Sequence, residues 1–163
     1  MDYETKPTNL KAIRKFAKVF RQLFDVPLTG AFPVLEALER IGDVFDGCNY
    51  LIVEDKKLPP QTMAGCEPNE NGGFTIKIKQ SIYDGAYEKE IGAFRGFICH
   101  EMCHIFLFKI GFVPTYERSF ANNALPAYRS VEWQAKALCG EVMISFEESK
   151  DMSIDEIISK YKI

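Results

Sequence analysis

The spacing of apolar residues predicts a chain built mainly of helices. Between residues 9 and 24, apolar side chains recur three and four positions apart, so they share one helical face while lysine and arginine fill the rest. A second helix is expected from Pro33, a residue suited to a first helical turn, to about Gly42. A third, residues 94–110, is apolar nearly all round, which is typical of a buried helix, and Gly111 suits its end.

The last part of the chain predicts two more helices. One runs from Ser130 to about Ser145 and carries an apolar stripe that consists of Ala135, Leu138, Cys139, Val142 and Met143. The tail, residues 146–163, contains a short helix that begins at Ser153. Glu156 lies three positions later, which is the spacing of a capping box.

Two segments have the pattern of β-strands. Residues 49–53 form a short apolar run, and residues 74–80 alternate apolar and polar side chains, which predicts a half-buried strand whose lysines suit a sheet edge. Residues 67–73 are rich in turn formers, residues 113–128 are expected to form a long loop over the functional site, and residues 1–7 a flexible arm. These elements predict a single α+β domain of 163 residues with a short, mainly antiparallel sheet.

Composition narrows the class of protein. With 47% hydrophobic and 26% charged residues, the chain has the composition of a globular protein. Its net charge of −3 does not favour binding to nucleic acid or to membranes. No signal peptide or long apolar run is visible, so we expect a cytoplasmic protein with reduced thiols. Cys99 and Cys103, four positions apart, could be ligands or a redox pair, but small core residues are their expected role.

The segment His100-Glu101-Met102-Cys103-His104 lies within the third helix and has the form H-E-x-x-H. Residues four apart share a helical face, so both imidazoles can bind one metal ion while Glu101 lies within reach of a water there. Two histidine ligands and a carboxylate base are the arrangement of zinc metalloproteases. The alternative is two hydrogen-bonded core histidines, but burying both on an apolar helix without strong partners is costly.

A catalytic zinc needs a third protein ligand, and the chain has only the two histidines of the motif. The third ligand must therefore be a carboxylate or a thiolate. In the helix that begins at residue 130, Glu132 falls close to the direction of the apolar stripe, whereas Glu141 falls on the opposite side and is expected to be solvated. Glu132 is thus the candidate ligand, and a buried ion pair with Arg95 or Arg129 is its alternative role.

These segments resemble those of the ImmA/IrrE family of small gluzincin-like metallopeptidases. H-E-M-C-H at residues 100–104 matches the family's H-E-x-x-H, and F-R-G-F-I at residues 94–98 is similar to the R-x-x-F segment before it. E-W-Q-A-K-A-L-C-G-E-V-M-I-S at residues 132–145 is similar to the family's second motif, E-x-E-A-N-x-F-A-x-x-L-L-M-P. The order of elements along the whole chain also fits, although only these stretches are specific.

The resemblance implies a zincin-like fold, a Zn²⁺ cofactor and an assignment of roles. His100, His104 and Glu132 would be the metal ligands, and Glu101 would be the general base. Family members act on DNA-binding repressors, often of mobile elements. The implied function is therefore a zinc endopeptidase that cleaves a helix-turn-helix transcriptional regulator.

Three further features of the expected site can be read from the sequence: departures from the family pattern, a second oxyanion donor and a strand for the substrate. Gln134 replaces the second Glu of the motif, and Lys136 stands where the family usually has Asn or Asp, a position suited to orienting a ligand histidine. Loss of such a residue can weaken metal binding or activity. Tyr128 is the first candidate for a second donor to the oxyanion, with Tyr116 behind it. An extended substrate is expected to pair with the strand at residues 74–80.

Two other functions fit parts of the sequence. The first is a non-catalytic zinc-containing module that binds and occludes a regulator, which the altered second motif favours and the intact Glu101 disfavours. The second is a DNA-binding regulator that uses the basic helix at residues 9–24. The acidic balance of the chain and the lack of a helix-turn-helix pattern disfavour it, so we expect a protein substrate and no direct contact with nucleic acid or membrane.

Overall fold

The structure, a computed structural model, describes residues 2–114 and 126–163. Within these ranges the helices are α1 (Leu10–Leu23), α2 (Val34–Glu39), α3 (Ile41–Val44), α4 (Gln80–Tyr87), α5 (Gly92–Lys109), α6 (Val131–Met143), α7 (Phe146–Ser149) and α8 (Ile154–Tyr161). The strands are β1 (Asn49–Val53), β2 (Ala64–Pro68) and β3 (Phe74–Lys79). The predicted α+β class is confirmed.

The helix ends follow the capping signals of the sequence. Asn9 caps α1, and its side-chain oxygen accepts a hydrogen bond from the backbone N–H of Ala12 at 2.9 Å. Gly111 follows α5 with φ +102°, a conformation that side chains disfavour, so the helix ends there as predicted. Ser153 caps α8 by accepting from the backbone N–H of Glu156 at 3.2 Å.

The sheet differs from the prediction in two ways. Its strand order is β1-β3-β2, with β3 parallel to β1 and antiparallel to β2, so it is mixed and not mainly antiparallel. β3 is also the central strand and not an edge. Its lysines are accommodated there because Lys77 lies 2.6 Å from the carboxylate of Glu67, and the ammonium of Lys79 donates to the carbonyls of Pro59 and Pro60.

The central position of β3 overturns the predicted mode of substrate pairing. An extended peptide adds to a sheet only at a strand with an open edge. Both edges of β3 are occupied, by β1 and by β2. The strand that packs against α5 from the edge of the sheet is β2.

α5 lies at the centre of the fold, as its apolar sequence predicted. It packs against α2, α4, α6 and the sheet, and it buries Ile98, Met102, Ile105 and Phe106 almost completely. Cys99 and Cys103 are also fully buried, in agreement with their expected core role. In the described part of the chain no single helix is long and apolar enough to span a bilayer; α4 and α5 reach that length together only as a pair bent by 116°.

The N-terminal segment is docked on the protein, although the sequence predicted a flexible arm. Glu4 forms a β-bridge with Ser130, and the backbone N–H of Val131 donates to the carbonyl of Tyr3 at 3.0 Å. Thr5 is buried, and its N–H donates to the carbonyl of Arg129 at 2.9 Å. The segment therefore runs along the start of α6.

Candidate metal centre

The two histidines of the motif and Glu132 converge at one point. α5 presents His100 and His104 one turn apart, and their Nε2 atoms are separated by 3.1 Å. Glu132, in the first turn of α6, places Oε2 at 3.2 Å from Nε2 of His100 and Oε1 at 3.1 Å from Nε2 of His104. The three side chains that the sequence singled out are thus brought together by two helices that pack on each other.

The orientation of Glu132 follows from how α6 begins and which face it buries. Ser130 caps the helix, and its hydroxyl oxygen accepts from the backbone N–H of Trp133 at 3.0 Å. The predicted apolar stripe is buried, and with it the rotation of the helix is fixed. Glu132 then lies on the side that faces α5, with its side chain about two-fifths exposed.

The competing partners predicted for Glu132 are engaged elsewhere. Arg95 lies 3.5 Å from the carboxylate of Glu90, and Arg129 lies 3.2 Å from that of Glu4. The expectation that Glu141 is solvated is wrong, because α1 packs on that side of α6 and the Glu141 carboxylate lies 3.2 Å from Nε of Arg14.

Glu101 is a second carboxylate at the same place. Its oxygen and the ring nitrogens of His100 and His104 all lie within 4.8 Å of one another, so these three could also hold a metal ion. Glu132 is the better third ligand because each of its oxygens approaches one imidazole nitrogen directly. Glu101 follows His100 on α5 and is therefore directed roughly 100° away around the helix.

The two carboxylates have opposite electrostatic environments. Hydrogen bonding with His100 and then with His104 holds the pKa of the Glu132 carboxyl well below its usual range. Burial raises the pKa of Glu101 to about 7, a rise that the nearby charge of His100 partly offsets. Pairs of acids whose pKa values are driven apart serve different roles in a site: Glu132 is a fixed anion, and Glu101 can exchange a proton near neutral pH.

The raised pKa of Glu101 predicts a pH-dependent stability of the metal-free protein. In the unfolded chain the Glu101 carboxyl has its ordinary pKa of 4.5 and loses its proton above that pH. In the folded protein the same carboxyl keeps its proton until about pH 7. The contribution of Glu101 to the free energy of unfolding therefore falls as pH rises between these values. Glu101→Gln should make the metal-free protein more stable by about 2 kcal/mol at pH 8 and leave its stability nearly unchanged at pH 4. Urea titrations in the presence of a chelator measure this, and an equal difference at both pH values would contradict it.

A cleft of about 660 Å³ opens beside the metal centre. Its polar lining includes Glu101, His104 and Glu132, and β2 contributes Cys66. Its apolar wall is formed by Phe74, Leu107, Phe108 and Phe112, with the rings of Phe74 and Phe108 packed edge to face at 4.9 Å. The arrangement can hold an extended chain with apolar side chains next to the two carboxylates.

Several cleft residues, among them Tyr3 and Cys66, were not identified as site residues from the sequence. Tyr3 reaches the cleft because the N-terminal segment runs along α6, and Cys66 because β2 pairs with the centre of the sheet. Neither residue belongs to a motif at a fixed spacing. Only the long-range pairing of their segments could have indicated them.

Neither candidate oxyanion donor is seen at the metal centre among the residues that the structure describes. Tyr128 lies in a short 3₁₀ turn, Ala127–Arg129, with about half of its side chain exposed, and it is absent from the described lining of the cleft. Its ring lies beside the guanidinium of Arg129, 6.0 Å away. Tyr116, with most of the predicted loop at residues 113–128, lies outside the described residues, so both roles stay predictions.

The two departures from the family pattern have different surroundings. Lys136 is exposed on α6. Gln134 is fully buried, and its side-chain amide donates to the carbonyl of Lys6 at 2.9 Å and to that of Tyr128 at 3.0 Å. Because an amide has N–H donors and a carboxylate has none, glutamine suits this position between two carbonyls better than glutamate does.

Restoring the family's acid at this position is expected to harm the protein. In Gln134→Glu a buried carboxylate would face the carbonyl oxygens of Lys6 and Tyr128, so the variant must bury a charge without a donor or bind a proton. We expect a loss of about 2 kcal/mol in the free energy of unfolding at pH 7, and less at pH 4. Gln22→Glu, on the exposed side of α1, is the matched control. Equal effects of the two substitutions would contradict the assignment.

Comparisons of the chain with family models, with curated proteins and with solved structures give no match. The resemblance of the two motifs to ImmA/IrrE peptidases therefore has no support from those comparisons. What the structure does establish is a cluster of His100, Glu101 and His104 that could hold a metal ion, completed by Glu132 and set beside an open cleft.

Proposed function

We propose that the protein is a zinc-dependent endopeptidase. The observation that carries the proposal is the meeting of three side chains suited to metal binding, His100, His104 and Glu132, with a fourth side chain, Glu101, that lies beside both histidines and lines the cleft. Structural zinc sites are usually closed by four protein ligands, whereas this site has three and borders an open cleft. The neighbouring cleft gives a peptide access to the same point.

The donor set and its spacing fit zinc. Two imidazole nitrogens and one carboxylate are the ligands of several catalytic zinc sites, which keep their fourth position for water or substrate. Zinc bonds of about 2.0–2.2 Å separate the corners of a tetrahedral site by roughly 3.3–3.6 Å. The Nε2 atoms of the two histidines lie 3.1 Å apart, within a few tenths of an ångström of that range. Each also lies close to a different oxygen of the Glu132 carboxylate, at 3.2 Å for His100 and 3.1 Å for His104, so the three side chains are close enough to share one ion.

In the proposed mechanism the chain's own residues bind the metal, move a proton and hold the substrate. When bound at His100, His104 and Glu132, Zn²⁺ acts as a Lewis acid that acidifies water and polarises a carbonyl group. Glu101 accepts a proton from the attacking water and later donates it to the nitrogen of the leaving amine. Its position suits both steps, because its carboxylate oxygen and the ring nitrogens of His100 and His104 lie within 4.8 Å of one another, at the point where the water would be held.

The proposed position of the substrate differs from the sequence-based prediction. An extended peptide would pair with the outer edge of β2, since among the described strands β2 is an edge that also lines the cleft. Apolar substrate side chains would then pack against Phe74 and Phe108. We further propose that the substrate is a helix-turn-helix transcriptional regulator, which rests on the resemblance of the two motifs alone.

The test uses the purified chain and, as candidate substrate, a helix-turn-helix regulator encoded beside it. Zinc content is measured first, and the regulator is then incubated with the zinc-loaded protein, the chelated protein and the chelated protein after zinc is returned. We expect cleavage in the first and third samples and none in the second. Stoichiometric zinc without cleavage of the regulator or of a library of extended peptides would overturn the endopeptidase proposal and favour the non-catalytic binding module.

A further inference from the structure

The N-terminal segment, residues 2–8, forms a dense set of contacts with the start of the helix that carries Glu132. Besides the backbone pairing of Tyr3 and Thr5, the N–H of Thr8 donates to the carbonyl of Tyr128 at 3.0 Å. The hydroxyl of Thr5 donates to the carbonyl of Val113 at 3.0 Å. The segment thus forms hydrogen bonds both with Val113, just after α5, and with residues 128–131, at the start of α6.

Asp2 makes the contact nearest to the metal centre. One oxygen of its carboxylate accepts from the hydroxyl of Ser130, and the other accepts from the backbone N–H of Glu132 at 3.1 Å. Ser130 in turn accepts from the N–H of Trp133. Two side-chain acceptors, Asp2 and Ser130, therefore bind N–H groups of the first turn of α6, in addition to the carbonyl of Tyr3, which accepts from the N–H of Val131.

We propose that Asp2 is a positioning residue of the metal centre, which acts by fixing the backbone of the ligand Glu132. The proposal rests on the proposed metal site. The first turn of a helix is less constrained than its interior, because its N–H groups have no partners within the helix. Glu132 occupies that turn and is only partly buried, so the bond from its own N–H to Asp2 is a direct restraint on where its carboxylate lies.

The charge of Asp2 adds to the effect of its geometry. A carboxylate at the start of a helix interacts favourably with the helix dipole, which stabilises the first turn in the helical conformation. Residues that orient a metal ligand without touching the metal typically change affinity by about 10- to 100-fold when they are lost. The expected phenotype of Asp2→Ala is therefore weaker metal binding in a protein that remains folded.

The experiment measures metal affinity in the untagged full chain by competition with a chromophoric chelator. We expect Asp2→Ala to weaken Zn²⁺ binding about 10- to 100-fold. Asp2→Asn, which retains an acceptor for the N–H of Glu132, should recover part of that loss. The absorption spectrum of the Co²⁺-loaded protein should shift in Asp2→Ala, because a displaced carboxylate changes the ligand field.

Asn9→Ala is the matched control, because it removes the cap of α1, a helix without metal ligands. Both alanine variants should lower the thermal midpoint of the metal-free protein by a few degrees, but only Asp2→Ala should weaken metal binding. Unchanged affinity in Asp2→Ala, or an equal loss in Asn9→Ala, would overturn the positioning role. Failure of the wild-type protein to bind zinc or to cleave would instead overturn the proposed function.

Discussion

Glu101→Gln is expected to eliminate cleavage of the regulator while the metal stays bound. Glutamine has nearly the shape of glutamate, so the helix and the approach of His100 and His104 to Glu132 should be preserved. It cannot accept a proton from water, and general base catalysis typically contributes about 10²- to 10⁴-fold to the rate. We expect kcat to fall by that factor with little change in KM, which initial-rate kinetics on the regulator would measure.

Two controls separate loss of the base from loss of the metal. Glu132→Gln should reduce both activity and zinc content, because it alters a ligand, whereas Glu101→Gln should reduce activity alone. Glu54→Gln removes an exposed carboxylate outside the described cleft lining and should leave both unchanged. If Glu101→Gln retains more than about a tenth of the wild-type kcat, Glu101 does not have the proposed role.

The core of the site could be predicted because its geometry is local. His100, Glu101 and His104 lie within five residues, and helical periodicity alone places both histidines on one face. Glu132 comes from another helix, but its direction could be derived because the apolar stripe of that helix fixes its rotation. Sequence reasoning therefore found all four residues that meet at the centre.

The sheet and the surroundings of the site depend on pairing between distant segments, which sequence pattern does not specify. β2 consists of Ala64-Gly65-Cys66-Glu67-Pro68, without a β-branched residue, so nothing marked it as a strand. Once it pairs with β3, the alternating strand becomes central and its lysines find partners among Glu67 and the carbonyls near residue 60. The docking of Asp2 on α6 was not foreseen for the same reason.

Charged residues gave the least reliable predictions of exposure. Glu141 and Lys79 were assigned to solvent by helical and strand periodicity, but each is largely buried with a specific partner. Periodicity identifies the face of an element that is apolar, and a second layer that covers the other face leaves no trace in that pattern. The long stems of lysine and arginine allow such burial, because their charged ends can reach acceptors at the margin.

Arg21→Met is expected to cause the largest loss of stability among single substitutions remote from the site. The guanidinium of Arg21 is buried, and it donates to the carbonyl of Val142 near the end of α6 at 2.7 and 2.9 Å. It also donates to the carbonyls of Pro27 at 2.7 Å, Thr29 at 3.2 Å and Gly30 at 2.7 Å. Burial lowers its pKa, yet arginine stays charged in proteins, and the carbonyl end of α6 is a favourable place for a cation.

Methionine fills much of the same volume but donates no hydrogen bond, so Arg21→Met leaves four carbonyls without their donor. Each buried acceptor that loses its partner costs about 1–3 kcal/mol, although water can reach some of them, and we expect a total loss of about 4 kcal/mol. Urea denaturation measures it, with Lys15→Met on the exposed side of α1 as the control. Because Arg21 holds the far end of the helix that carries Glu132, zinc affinity should fall as well. A loss of less than about 1 kcal/mol would mean that water replaces the guanidinium at these carbonyls.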